Sequence, residues 1–405
     1  MARLKVLVCP AHYVLDDRMH GSEYAWPVGL MRACSALGNI EITAVAGAVG
    51  PGVSVPGVRI VAIGAKLSDR EGTIGLARFV LGYTKAAIAI ARTWRPEVVH
   101  HLLPFRVGAT FNPLILAGRG ARTVVGPVQP SHTLALDDEA GVSRGDYAAS
   151  ANGPGRTTGG ASWRLVQGLA SRLSALTLRK AGTVLAVNQA GADTVMQLSG
   201  VAASLVPFGV DVDRFVPGPR ESANRGRVVF LVVAYLVARK RVADVIRAIA
   251  MVASHRRDVL LRIVGDGPER IALMALAQSL KLGDTCEFVG HVPHDRIVVE
   301  YQRADVLVSM SASESHGMSL LEAMACGLPV LSAENDGATG IVEHGVTGYL
   351  VSSADFQQLA QRMNELCSDH GRAYSLGRAA QECVQTQYAW NVIASRMLGA
   401  YGAIA

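Results

Sequence analysis

The stretch that decides the reading is Ser313-Glu-Ser-His-Gly-Met-Ser-Leu-Leu-Glu-Ala-Met-Ala-Cys-Gly-Leu-Pro-Val330. Glu314 falls in a loop just before a helix, Glu322 lies about one turn inside that helix, and Gly327-Leu-Pro closes it before an apolar strand. Between the carboxylates lie Gly317 and the backbone N–H groups of a helix N-terminus, a ready seat for phosphate. Like charges repel, so the glutamates are not there to attract phosphate. They suit hydroxyl groups on either side of it, because a carboxylate accepts hydrogen bonds and donates none. The competing reading is a capped amphipathic helix with two surface glutamates.

Outward from this stretch, short apolar, β-branched runs alternate with helical lengths. Strands are expected at Lys5–Cys9, Ile40–Ala44, Val58–Ala62, Val98–His101, Thr123–Gly126, Thr183–Val187 and Ser204–Val206. A second series is expected at Val228–Val233, Leu260–Val264, Cys286–Val289, Val306–Ser309, Val330–Ser332 and Tyr349–Val351. Continuous apolar strands separated by helices imply parallel sheets covered on both faces, and two such series imply two doubly wound α/β domains. The Pro/Gly-rich stretch from Val206 to Pro219 reads as the linker. Residues 137–162, rich in Gly, Ser, Ala and Thr, read either as a lid or acceptor-binding loop or as a tolerated insertion.

The chain has 405 residues and a formal charge of +6. That charge is uneven: residues 1–205 hold 20 Lys and Arg against 12 Asp and Glu, whereas residues 206–405 hold 19 against 21. No nucleic-acid motif accompanies the surplus, and its arginines are spread, so it reads as a solvated face. The other reading is attraction of an anionic acceptor or a weak peripheral contact with phospholipid. Residues 76–94 interleave basic and apolar residues, which suits a lipid surface or an ordinary core-facing helix. No apolar run reaches the ~18 residues of a membrane span, and no secretory leader is evident at the start. Six cysteines without metal-ligand spacing read as reduced and mostly buried, as in a cytoplasmic protein. The pairs Asp16/Asp17 and Asp211/Asp213 read as turn or capping residues rather than metal ligands.

With these residues assembled, the chain resembles the retaining glycosyltransferases of family 4. Glu314…Gly317…Glu322 with Ala-Met-Ala-Cys-Gly-Leu-Pro-Val is similar to their E-x7-E motif. Four further pieces stand in the family's order. Val206-Pro-Phe-Gly-Val-Asp-Val-Asp-Arg-Phe215 resembles its interdomain motif and Leu236-Val-Ala-Arg-Lys-Arg-Val242 its lysine loop. Val264-Gly-Asp-Gly-Pro268 resembles its glycine turn and Gly290-His-Val-Pro-His294 its strand exit. Tyr388-Ala-Trp390…Tyr401 resembles the closing helix that crosses back to the first domain. The likeness is specific over the second half and weak over the first.

The resemblance implies a GT-B fold, two Rossmann-like domains facing a cleft. Residues 1–206, with a C-terminal helix at about 388–405, would bind the acceptor; residues 207–387 would bind the nucleotide sugar. The implied reaction transfers a sugar from a nucleoside diphosphate sugar, a UDP-sugar such as UDP-GlcNAc or UDP-glucose, to a hydroxyl on a small molecule or glycan. It proceeds with retention, by front-face attack and without a metal or other cofactor.

Residue by residue, Glu322 resembles the glutamate that accepts from both ribose hydroxyls, and Glu314 the one that holds the sugar. Gly317, Met318 and Ser319 would offer amides to the diphosphate, with His316 contributing through its backbone. Lys240 resembles the lysine that neutralises the leaving diphosphate. Where the family has Gly-Arg before the leucine, this chain has Ala234-Tyr235, so the cation is missing there, and Arg239 and Arg241 are the candidates to compensate. In the first half, Gly21 and Ser22 resemble the paired glycines of a loop near the diphosphate, and His132 the family's catalytic histidine. His100 and His101 end another strand, either as site residues or as satisfied structural histidines. A nucleotide-sugar epimerase or hydrolase on the same fold, and an inert sugar-nucleotide-binding subunit, are the alternatives.

Overall fold

The computed structural model describes residues 3–15, 22–64, 72–102, 112–117, 120–130, 161–218 and 226–402, with backbone alone at 22–25, 72–77 and 161–170. The chain divides into two compact units, Met1–Gly209 with Trp390–Ala405, and Val210–Ala389. The expected boundaries at 206 and 388 thus move by about two to three residues. The Val210–Ala389 bridge explains this, because it ties the two ends of the second unit together.

In the first unit the strands are β1 (Leu4–Val8), β2 (Ile40–Ala46), β3 (Val58–Ala62), β4 (Val98–His101), β5 (Arg122–Val128), β6 (Thr183–Ala186) and β7 (Ser204–Leu205). They form one parallel sheet in the order β3-β2-β1-β4-β5-β6-β7. Two-residue strands at Val14–Leu15 and Ala48–Val49 pair separately. One sheet face packs Leu7, Cys9 and Val45 against Phe79, Val80, Tyr83, Ala87 and Ile90 of the helix Gly72–Trp94. That helix is therefore core-facing. The closing helix Trp390–Ala400 belongs to this unit. Glycine makes its seat: a Cβ at Gly29 or at Gly209 would come within 2.5 Å of the Trp390 indole. The helix Ala161–Lys180 takes in Ala161 and Ser162, so the loop expected to end at 162 ends sooner. Its residues 137–160 lie outside the described residues.

The second unit holds β8 (Val228–Val233), β9 (Val259–Val264), β10 (Cys286–Gly290), β11 (Val306–Ser309), β12 (Val330–Ala333) and β13 (Gly348–Val351). Their parallel sheet runs β10-β9-β8-β11-β12-β13. Strand β8 shows why its run is continuously apolar. Val228, Phe230 and Val232 enter the core under helices Val242–Ala253 and Phe356–Ser368, while Val229 and Leu231 enter the opposite core with Leu320, Leu321 and Met324. Burial on both faces leaves no place for the polar alternation of a solvated sheet. All six cysteines are unpaired, four buried and two half-buried.

Candidate functional site

Strand order reverses between β8 and β11, which pair through Phe230↔Val306 and Leu231↔Leu307. In open α/β sheets ligands bind beyond the carboxyl ends of the strands at such a switch point. The loops leaving these two strands are stitched to each other. The Ala312 N–H donates to the Arg239 carbonyl at 2.8 Å, and Arg239 Nη1 donates to the Ser313 carbonyl at 3.1 Å. Lys240 Nζ donates to Glu314 Oε1, and Arg239 Nη1 lies 4.0 Å from Glu314 Oε2. Burial alone would raise the Glu314 carboxyl. The Lys240 ammonium and the Arg239 guanidinium outweigh it and hold the group below the usual carboxylate range. Around Glu314, two cations against one carboxylate leave local positive charge.

The backbone explains how Lys240 arrives there. Ala238–Lys240 form a single 3-10 turn, and Arg241 takes a left-handed conformation, φ +50°, before the helix Val242–Ala253. An ordinary residue adopts this at a cost of about 1–2 kcal/mol. Arg241 is held there by Asp244, Nε to Oδ2 at 3.1 Å, and by Ser353, Nη1 to Oγ at 3.0 Å. Of the two arginines considered as substitutes for the missing cation, Arg241 is thus occupied by the fold and Arg239 reaches the carboxylate. Tyr235, at the departed position, is 42% exposed. The turn Gly265-Asp-Gly-Pro268 braces the same loop. A Cβ at Gly265 would lie 1.8 Å from the Ala234 carbonyl oxygen, and one at Gly267 2.4 Å from that of Leu236. These glycines serve close backbone approach.

Gly317 occupies the cap position of the helix Met318–Ala325 and brings no side chain of its own to cap that end. The opening amides, those of Met318 and Ser319 among them, are the donors that every helix leaves without an intrahelical acceptor. The His316 ring is buried, 6.4 Å from the Tyr388 ring. Gly337 holds the other side: a Cβ there would sit 2.7 Å from the Glu314 carbonyl oxygen and 2.8 Å from its Cβ.

Glu322 is 8% exposed, and each of its oxygens already has a partner. Tyr301 Oη donates to Oε2 at 2.7 Å, and His294 Nε2 lies 2.9 Å from Oε1. Burial, and then the carboxylate itself, push the Tyr301 phenol well above the ordinary tyrosine range, so it remains a donor. The reading of two surface glutamates fails on both residues.

Glu314, Lys240, Arg239, Gly317, Met318, Ser319, His316 and Glu322 all belong to the second unit, at the carboxyl ends of β8 and β11. Gly21, His132, Asp16 and Asp17 lie outside the described residues, and Ser22 is described only as the first residue of the helix Ser22–Ala36. His100 and His101 are fully buried and bonded within the first unit, the structural alternative. Asp211 accepts from the Asp213 and Arg214 amides at 3.2 and 3.1 Å, as a turn residue should. Sequence reasoning missed His294, Tyr301 and Gly337. A histidine and a tyrosine on the segment leaving β10 were the available signal for two of them. Nothing local marks Gly337.

A family model described as glycosyl transferases group 1 matches residues 219–383. Over 216 residues the chain is 32% identical to a GDP-mannose-dependent alpha-(1-6)-phosphatidylinositol monomannoside mannosyltransferase of Mycobacterium tuberculosis, covering 49% of this chain and 56% of that protein. The chain thus spans about half the length of that relative. A longer match, 30% identical over 349 residues, is to D-inositol 3-phosphate glycosyltransferase 1 of Catenulispora acidiphila, covering 82% of this chain and 78% of that one. Sucrose-phosphate synthase from Thermosynechococcus elongatus shares the fold, with a TM-score of 0.70 at 20% identity over 99% of this chain and 98% of that one.

Proposed function

Because the chain belongs to the group 1 glycosyltransferases, family 4 of the GT-B fold, we propose that it transfers a hexosyl group from a nucleoside diphosphate sugar to an acceptor hydroxyl with retention of configuration. The observation that carries this reading is the convergence of Lys240 and Arg239 on Glu314 at the β8/β11 switch point, beside a helix end that begins at Gly317.

Leaving-group charge is the main demand of the reaction, and fixed cations in a partly desolvated place meet it without a metal. An ammonium has three N–H donors. Lys240 spends one on Glu314 and keeps others for the diphosphate. The amides of Gly317, Met318 and Ser319 face the same charge. Glu314 holds the sugar, and its negative charge favours the cationic character that develops at the anomeric carbon. Glu322 accepts from the ribose hydroxyls.

Both carboxylates are already engaged, Glu314 by Lys240 and Glu322 by Tyr301 and His294. This supports front-face attack: the acceptor oxygen bonds to the anomeric carbon as the bond to the phosphate oxygen breaks, and that oxygen takes the acceptor's proton. The donor base is read as uracil, with guanine as the competitor that the mycobacterial relative's name suggests. Both named relatives act on inositol-bearing acceptors, so inositol phosphates open the acceptor screen.

A thermal-shift panel of UDP-GlcNAc, UDP-glucose and GDP-mannose tests the donor site, and the stabilising donor is then carried into turnover with proton NMR of the product anomer. One nucleotide sugar should raise the melting temperature by several degrees, and the product should keep the donor's anomeric configuration. A panel without any stabilisation removes the donor-site reading. An inverted product removes the front-face mechanism.

A further inference from the structure

Of the two groups that grip Glu322, Tyr301 is fully buried in the core, whereas the His294 side chain is 36% exposed on the loop after β10. Its ring is nevertheless fixed at both nitrogens. Nε2 lies 2.9 Å from Glu322 Oε1, and Nδ1 lies 3.4 Å from Arg214 Nη1. A guanidinium only donates, so Nδ1 must be the accepting nitrogen. The ring proton therefore sits on Nε2 and is donated to Glu322. Arg214 Nη2 also donates to the His294 carbonyl.

Arg214 is itself held in place. Asp211 accepts its amide, and the guanidinium carbon lies 5.0 Å from the Phe215 ring centre. Phe215 is buried, with its ring 5.9 Å from that of His294 and 5.9 Å from that of Tyr301. The stretch Val210-Asp-Val-Asp-Arg-Phe215 thus delivers a cation to the imidazole as well as closing the second unit.

A carboxylate offers about four lone-pair sites, two on each oxygen. Tyr301 uses one on Oε2 and His294 one on Oε1, which leaves one on each. Two acceptors on one plane match two vicinal hydroxyls. With Tyr301 alone, the carboxylate would turn about its last bond, whose torsion is broad. We infer that His294, set in its Nε2–H form by Arg214, is a positioning residue for the donor's ribose, locking the Glu322 carboxylate so that each oxygen keeps one open acceptor. The inference rests on Glu322 being the ribose acceptor. Preorganised support of this kind decides how well a binding group performs.

The test is calorimetry of UDP, GDP and their 2′-deoxy counterparts with the whole chain, as wild type, His294→Ala, His294→Gln and Glu322→Ala. Wild type should prefer the ribonucleotides. His294→Ala should weaken them about 10- to 100-fold, the worth of one hydrogen bond to a charged group, and narrow the preference over the deoxy forms. His294→Gln keeps an N–H for Oε1 and should regain most of both. In turnover, the KM for the donor should rise in His294→Ala while kcat holds, the mark of lost ground-state binding. If His294→Ala keeps the wild-type ribose preference while Glu322→Ala has lost it, the inference is wrong and the Glu322 role stands. If Glu322→Ala keeps the preference, or the wild type binds neither UDP nor GDP, both are wrong.

Discussion

Strands β4 and β11 hold the same place in their sheets, each paired to the central strand where the order reverses. They end differently. β4 closes on His100 and His101, both fully buried. His100 Nε2 donates to the Gly126 carbonyl at 2.7 Å, so its Nδ1 accepts from the Tyr401 hydroxyl at 2.8 Å, and His101 Nδ1 lies 3.2 Å from Asn112 Nδ2. β11 runs instead into the loop of Glu314, whose partners Lys240 and Arg239 keep part of their surface exposed. One topology thus yields, in one sheet, buried histidines bonded within the fold and, in the other, a carboxylate met by two partly exposed cations. A switch point is a location, and the chemistry comes from the side chains placed there.

The sharpest way to break this contrast is Lys240→Ala. Loss of one fixed donor at developing charge should cost about 10²–10³-fold in kcat/KM. Retained turnover would place the leaving-group cation elsewhere.

The β4 side is tested by acid. Burial pushes His100 down to about 4, although the Gly126 carbonyl pulls it partly back, and burial with the neighbouring His100 pushes His101 down to about 3. An unfolded histidine titrates near 6.5, so on acidification the unfolded chain binds protons first. Stability present above about pH 6.5 should fall as pH drops toward about 4, by roughly 3 kcal/mol for His100. The four tryptophans, Trp26, Trp94, Trp163 and Trp390, all lie in the first unit, so their fluorescence during denaturant unfolding follows that unit alone. A tryptophan transition that ignores pH over this interval would show that these histidines are not held neutral by burial.

A smaller effect is expected from Gly337→Ala, whose methyl group would collide with Glu314. Displacing that residue should lower turnover about 10-fold and stability by about 1–3 kcal/mol; unchanged kinetics would mean that the Glu314 position is not critical. Smallest is Tyr235→Arg. With Arg239 already at the carboxylate, the donor KM should change less than about 3-fold, in the range of an exposed charge. A tenfold gain would identify Tyr235 as the limiting departure.

All thirteen expected strands exist; the central ones are apolar, β-branched runs buried on two faces, whereas the edge strands Val58–Ala62 and Ser204–Leu205 are largely exposed or half-buried. Val14–Leu15 and Ala48–Val49 escaped because two residues show no period. Both glutamates were legible from the helix start between them. The Lys240–Glu314 pairing was not, since 74 residues separate the partners and only the sheet order brings their loops together. The choice of Arg239 over Arg241 was equally hidden, because it depends on the left-handed turn at Arg241. His294 showed in the sequence as one polar loop residue among several; its role depends on Arg214, 80 residues earlier.

The last helix has a consequence for how the protein is made. The first unit is discontinuous in sequence, while the second, Val210–Ala389, is one unbroken insert within it. A chain emerging from the ribosome can complete the insert while its own beginning still lacks Trp390, which fills the space over Gly29 and Gly209, and Tyr401, which bonds His100. The part synthesised first therefore matures last, an inversion of the usual N-terminal-first order of domain folding.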